Sequence, residues 1–260
     1  MSVIHDAFAK AKSENRSALI GYVPAGFPSI DASVECITAM IDGGVDIVEI
    51  GLPYSDPLMD GPTIQDAVQQ SLDQGTRITD VIDTVKRVSA TGAPTLIMSY
   101  WNPIERFGTE QFLSAFAAAG GAGVITPDLT PEEATAWVTQ TDAHHVDRVF
   151  LVALSSTDAR LSTVANATTG FIYAGAVMGV TGARATLDDA VKDVVARVRT
   201  VSDLPVAVGL GVSTPEQAHA IAQYADGVIV GSAFINAINV GGPAAARELA
   251  QQLRAGVNRS

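Results

Sequence analysis

Eight short apolar runs, each followed by a segment of helical spacing, recur from one end of the chain to the other, and this alternation constrains the fold more than any other feature. The runs are ALIGYV (18–23), VDIVEI (45–50), PTLIMSY (94–100), GVIT (123–126), RVFLVAL (148–154), GFIYAG (170–175), PVAVGL (205–210) and DGVIVG (226–231). They are apolar almost throughout rather than at every second position, the pattern of strands buried on both faces. Helical spacing falls at 30–42, 62–90, 109–119, 131–140, 157–166, 186–201 and 214–223, and again near 243–255. Two of these segments open with capping chemistry, Thr130-Pro131-Glu132-Glu133 and Ser213-Thr214-Pro215-Glu216. There a hydroxyl accepts orphan N–H bonds and proline occupies the first turn.

Strands separated by single helices pair in parallel through right-handed crossovers, which gives a closed (β/α)8 TIM barrel, an α/β fold, preceded by one extra N-terminal helix. The competing topology is an open doubly wound sheet. It usually carries a glycine fingerprint after its first strand, and the corresponding turn here is YVPAGFPS. No Pro-, Gly- or Ser-rich linker interrupts residues 1–260, so a single domain is expected.

Charge and cysteine usage exclude several functions. With 28 acidic against 16 basic residues the net charge is −12, which opposes binding to nucleic acid or anionic membrane. The one cysteine, Cys36, can form neither an internal disulfide nor a cysteine-built metal site. The start lacks an apolar signal core, so a cytoplasmic protein is expected. Two stretches without charge, 161–183 and 227–246, are long enough to raise the question of membrane spans. The first contains Ser162, Asn166, Thr168 and Thr169 and reads instead as a buried strand between tight loops.

Barrel chemistry sits at the C-terminal ends of the strands. The second strand runs into VEIGLPYSDPLMDGPTIQ, with Glu49 at its penultimate position. If alternation holds from Ile47, this carboxylate points into the barrel mouth, where burial raises its pKa or a neighbouring hydroxyl or amide satisfies it. Asp56 and Asp60 follow in a stiff loop containing Pro53, Pro57, Gly61 and Pro62. Each alone reads as a helix cap, while together with Glu49 they make carboxylate acid/base work plausible.

The loops GLGVSTPEQ (209–217) and GVIVGSAF (227–234) each put glycine and a hydroxyl at the start of a helix, where free N–H groups and the helix dipole bind phosphate without a cation. MGVTGAR (178–184) is placed to close over that phosphate through Thr181 or Gly182. Lys10, Lys12, Lys86 and Lys192 all fall on helical segments, leaving no nucleophile for Schiff-base chemistry. His5, His144, His145 and His219 show no metal-ligand spacing, so no metal is expected. Tyr22, Tyr100 and Tyr173 lie at or near strand ends, with Met98 and Leu210 at similar depth. Such residues fill barrel cores, and converging on one mouth they would also hold a flat ring.

VEIGLPYSDPLMDGPTIQ, LIMSYWNP, ITPDLTPEE, MGVTGAR and VGLGVSTPEQA, in this order and spacing, resemble the tryptophan synthase alpha chains, especially those of high-G+C Gram-positive bacteria. The likeness spans almost the whole chain. It implies a cofactor-free retro-aldol lyase that cleaves indole-3-glycerol phosphate to indole and glyceraldehyde 3-phosphate in tryptophan biosynthesis. By the resemblance Glu49 is the catalytic acid/base, Asp60 holds the indole N–H, and Tyr173 is an active-site tyrosine. Tyr22, Ile64, Tyr100 and Leu210 match the indole pocket. Gly182, Gly211, Gly231 and Ser232 match phosphate binders. Asp56, Pro57, Asn102 and Pro103 face the beta chain, which shares an α₂β₂ heterotetramer and alone carries pyridoxal phosphate. Three positions depart from the family pattern. Leu154 replaces a common proline, and Ala176 and Val177 replace polar residues before GVTG. They bear on loop closure over substrate and on activation by the partner. Two alternatives to the lyase are a sugar-phosphate isomerase or epimerase on a similar barrel, and an idle barrel that only activates a beta-like partner.

Overall fold

The apolar runs become strands of one curled sheet. The computed structural model describes residues 2–175 and 184–260, leaving aside the side chains of 184–188. Its strands are β1 (Ala18–Pro24), β2 (Ile47–Gly51), β3 (Thr95–Met98), β4 (Gly123–Ile125), β5 (Asp147–Val149), β6 (Leu151–Val152), β7 (Ile172–Gly175), β8 (Val206–Gly209) and β9 (Gly227–Val230). All pairings are parallel, in the order β5-β4-β3-β2-β1-β9-β8-β7-β6. The two ends of that order are consecutive in the chain. β5 and β6 are halves of the expected 148–154 strand, interrupted at Phe150, with β5 on β4 and β6 on β7. Across the seam the Arg148 carbonyl accepts from the Thr169 N–H at 3.1 Å and the Phe150 carbonyl from the Tyr173 N–H at 3.2 Å. The sheet therefore closes as the expected eightfold barrel.

The helices are α1 (Val3–Ser13) before β1, α2 (Ile30–Asp42) after it, α3 (Pro62–Asp73) and α4 (Ile78–Ser89) after β2, and α5 (Trp101–Phe107) and α6 (Thr109–Ala118) after β3. Then come α7 (Thr135–Ala143), α8 (Asp158–Ala167), α9 (Arg184–Val198), α10 (Pro215–Ala222) and α11 (Ser232–Gly256). Among the described residues none is long and apolar enough to cross a membrane. The uncharged 161–183 stretch, expected as strand and loops, begins inside α8 and continues into β7.

Side-chain alternation divides the apolar residues into two layers. Ile20, Ile47, Leu96, Ile125, Val149, Phe171, Ala207 and Ile229 point into the barrel, and α1 closes its N-terminal end with Ile4, Phe8 and Ala11. The Phe8 and Phe171 rings meet at 5.6 Å. Val48, Ile97, Val124, Val208 and Val228 point outward into the layer between sheet and helices. Each such fully buried aliphatic side chain contributes roughly 1.5–3 kcal/mol of transfer free energy.

Four local expectations change. The 62–90 segment is two helices, because Gly75 adopts φ +81° between them. The helix expected at 131 starts at Thr135, and the Thr130 hydroxyl donates to the Glu133 carboxylate within a turn instead of capping a helix. Seven residues from Trp101 form an unforeseen helix. The last helix starts at Ser232, not near 243, and is broken at Gly241 and Gly242, just before Pro243. The Thr214 cap stands as expected, its hydroxyl accepting from the Gln217 N–H at 3.3 Å.

Candidate active site

The C-terminal strand ends enclose a cleft of about 210 Å³ that collects Glu49, Asp60, Tyr22, Ile64, Tyr173, Gly211, Gly231 and Ser232. Glu49 enters it because the register continues Ile47 inward, and its side chain is wholly buried. Neither carboxyl oxygen has a hydrogen-bond partner among the described residues. Burial alone pushes its pKa up to about 8, so at neutral pH the group holds a proton it can give away.

Asp60 is not a cap. Gly61 occupies the N-cap position of α3 with Pro62 following, and the Asp60 side chain is left for the cleft. The Asp60 carbonyl accepts from the Gln65 side chain at 2.7 Å, which pins the loop. Partial burial raises the carboxyl's pKa, and a hydrogen bond from Tyr100 lowers it in opposition. Tyr100 does not line the cleft. Its hydroxyl accepts from the Met59 N–H at 2.9 Å, behind the acidic loop.

Two tyrosines wall the carboxylates. Tyr22 pairs in register with Glu49, and its ring reaches from Gly231 to Gly51. A Cβ built on Gly51 would stand 2.3 Å from the Tyr22 hydroxyl. On the far wall, a Cβ on Gly209 would stand 2.6 Å from the Tyr173 hydroxyl. Burial, then the nearby carboxyls, raise both phenols well above their ordinary value, so both remain donors.

The opposite end of the cleft is an anion cradle without a cation. Gly231 precedes α11 and offers no capping side chain; its carbonyl takes the Phe234 and Ile235 N–H groups, and Gly231 and Ser232 line the cleft at the start of the helix. Gly211 contributes backbone at φ +64°. Its loop is only half of what the sequence suggested. The Thr214 hydroxyl caps α10, and the Ser213 hydroxyl donates to the Gln217 side chain, so neither is free for a ligand. No lysine or arginine stands among the described lining residues.

The remaining candidates lie elsewhere. Leu210 follows inward-pointing Gly209, so alternation turns it outward, into the groove between α9 and α10. It is not part of the described cleft wall, contrary to the expectation that it lines the ring pocket. Asp56 is exposed and accepts from the Ser55 hydroxyl at 2.7 Å. Asn102 is exposed and Pro103 half-buried on α5, which follows β3, and Pro57 is half-buried on the loop after β2. Leu58, 78% exposed, projects from the same rim. Leu154 packs half-buried in the layer outside the sheet. Thr181, Gly182, Ala176 and Val177 lie outside the described residues. Leu151, Ile229 and Met59 line the cleft without having been singled out. Carrying the Glu49 alternation round the barrel would have found the first two, which pair in register with Tyr173 and Gly209.

Known proteins resemble this chain in sequence and in fold. The family model described as tryptophan synthase alpha chain matches residues 8–258. The tryptophan synthase alpha chain of Acidothermus cellulolyticus is 50% identical, over 100% of this chain and 98% of its own length. That of Mycobacterium ulcerans is 52% identical, over 96% and 93%. Among solved structures, tryptophan synthase of Mycobacterium tuberculosis superposes with a TM-score of 0.94 at 49% identity, covering 99% of this chain and 98% of that one. An alpha chain from Legionella pneumophila, at 30% identity, still gives 0.90 over 99% and 97%.

Proposed function

The chain belongs to the tryptophan synthase alpha-chain family, and we propose that it cleaves indole-3-glycerol phosphate with Glu49 as acid/base and Asp60 as the counter-charge to the indole nitrogen. One observation carries the proposal: a wholly buried glutamate with no hydrogen-bond partner among the described residues shares a cleft with a second carboxylate and a cradle whose described lining holds no lysine or arginine.

The chemistry follows from that arrangement. Protonated Glu49 donates its proton to indole C3, the C2–C3 π electrons form the new C–H bond, and positive charge appears on the ring nitrogen. Asp60 holds that N–H and stabilises the charge. The Glu49 carboxylate then takes the proton of the glycerol hydroxyl next to the ring. That carbon becomes a carbonyl, the C–C bond breaks, and its electrons restore the indole while the nitrogen regains its lone pair. Indole and glyceraldehyde 3-phosphate leave, and Glu49 has its proton back. Tyr22, Ile64 and Tyr173 hold the ring. Gly211, Gly231 and Ser232 hold the phosphate, with Gly182 and Thr181 closing over it.

On this reading the chain works in the cytoplasm without a cofactor of its own. It joins a beta chain, which carries pyridoxal phosphate, in a heterotetramer of two alpha and two beta chains. Asp56, Pro57, Asn102 and Pro103 then meet that partner, and their position just after β2 and β3, on the loop following β2 and on α5, supports the assignment. Residues 1–260 act as one domain. The test is indole release from indole-3-glycerol phosphate with and without a matching beta chain. Release by the chain, stimulated by the partner, is expected. No indole from the complex would leave an idle barrel, and phosphate-sugar isomerisation without indole would reassign the chemistry.

A further inference from the structure

Strand alternation gives Phe171 the same inward face as Tyr173, two residues further along the chain. Phe171 is wholly buried, and its ring stacks with that of Tyr173, the centroids 6.4 Å apart and the planes inclined by 29°. Phe8, on the helix that closes the N-terminal end of the barrel, meets Phe171 in turn at 5.6 Å and 55°. The His5 Nε2–H donates to the Gly170 carbonyl at 2.9 Å, so α1 holds the backbone next to Phe171 as well as its ring. Three aromatic rings thus run through the barrel interior, from its closed end to the cleft.

A buried tyrosine is usually anchored by its hydroxyl. Among the described residues the Tyr173 hydroxyl has no hydrogen-bond partner, so packing sets the direction of the ring. Gly209 leaves room beside that hydroxyl and does not grip it. The stacked contact comes from Phe171, which α1 holds in place and which does not itself line the cleft. We infer that Phe171 is a positioning residue, seating the Tyr173 ring against the indole end of the substrate without touching the substrate. The inference rests on the reading in which Tyr173 holds the indole.

The test is Phe171→Leu in the full chain, alone and with Tyr173→Ala, assayed for cleavage. Leucine leaves a gap where the phenyl ring lay, and the tyrosine settles into it. Expected are a rise of about fivefold in KM, kcat within about twofold, and unchanged inhibition by glyceraldehyde 3-phosphate, which the anion cradle holds at the other end. Phe171→Met, whose thioether packs well against an aromatic ring, should recover part of the loss. Phe8→Leu, one ring further away, should raise KM less, and in the Phe171→Leu background should add nothing. In the Tyr173→Ala background Phe171→Leu should cost nothing more. If Tyr173→Ala is too slow to assay, the split between KM and product inhibition decides. If Phe171→Leu does not fold, Phe171→Met and Phe8→Leu are read in the same way. An unmoved KM with a lowered melting temperature makes Phe171 core filling and overturns the inference, as does an equal weakening of product inhibition or a loss that multiplies in the double variant. A raised KM for Tyr173→Ala with a silent Phe171→Leu sinks the Phe171 role alone. Near-normal KM for Tyr173→Ala removes the underlying reading, and this role with it.

Discussion

Tyr22 and Glu49 are register partners on adjacent strands, and the tyrosine ring covers the glutamate's end of the cleft, its hydroxyl lying over Gly51. A carboxyl walled in this way exchanges protons with whatever fills the cleft. Glu49→Gln keeps the shape and removes the transferable proton, so cleavage should fall at least about 10³-fold while substrate binding changes little. Single-turnover indole release together with equilibrium binding separates the two effects.

The same burial sets a pH dependence of stability. Glu49 ionises at about 8 in the folded chain, against an ordinary value of 4.5. Below the ordinary value both folded and unfolded forms are protonated, and burial carries no ionisation penalty. As pH rises toward 8 the unfolded chain loses the proton while the folded chain keeps it, and stability drains away by up to about 5 kcal/mol. Glu49→Gln has no such proton. Denaturant unfolding should therefore show the variant gaining on the wild type between about pH 5 and 8, and parallel curves across that window would contradict it.

Asp60→Asn retains size and hydrogen bonding but not charge. Loss of one preorganised electrostatic partner typically costs about 10²–10³ in kcat, and that is the expected loss here. Because Gly61, not Asp60, occupies the cap position, unfolding midpoints should barely move. A stability defect with intact turnover would make Asp60 structural.

Gly209 leaves the space that the Tyr173 hydroxyl occupies. Alanine there fits the backbone, yet its methyl would stand 2.6 Å from the hydroxyl and 3.1 Å from the ring. The tyrosine must tilt into the cleft, so Gly209→Ala should raise KM about tenfold or more with a modest change in stability. Steady-state kinetics alongside thermal unfolding test this.

Much of this was legible because charge inside an apolar run is conspicuous. Glu49 stood out among Val, Ile and Gly, and the strand runs located the rim it sits on. Asp60 was ambiguous, since the residue before a helix reads as a cap until the backbone shows which residue takes that position. The Leu210 expectation failed against the alternation that found Glu49, applied one residue too far along β8. Gly51 and Gly209 were unreadable as site residues. A missing side chain matters only relative to a tyrosine from another strand, and no local pattern records that. The 232–240 helix was hidden by following an apolar strand directly, with only Gly231 between.

The seam at Phe150 has a consequence outside catalysis. Because the first and last members of the strand order are one continuous piece of chain, bonded to neighbours on both flanks, the sheet offers no open edge strand among the described residues. A stray extended peptide finds no template to zip onto, which protects a crowded, strand-rich protein from edge-to-edge aggregation while it is folded.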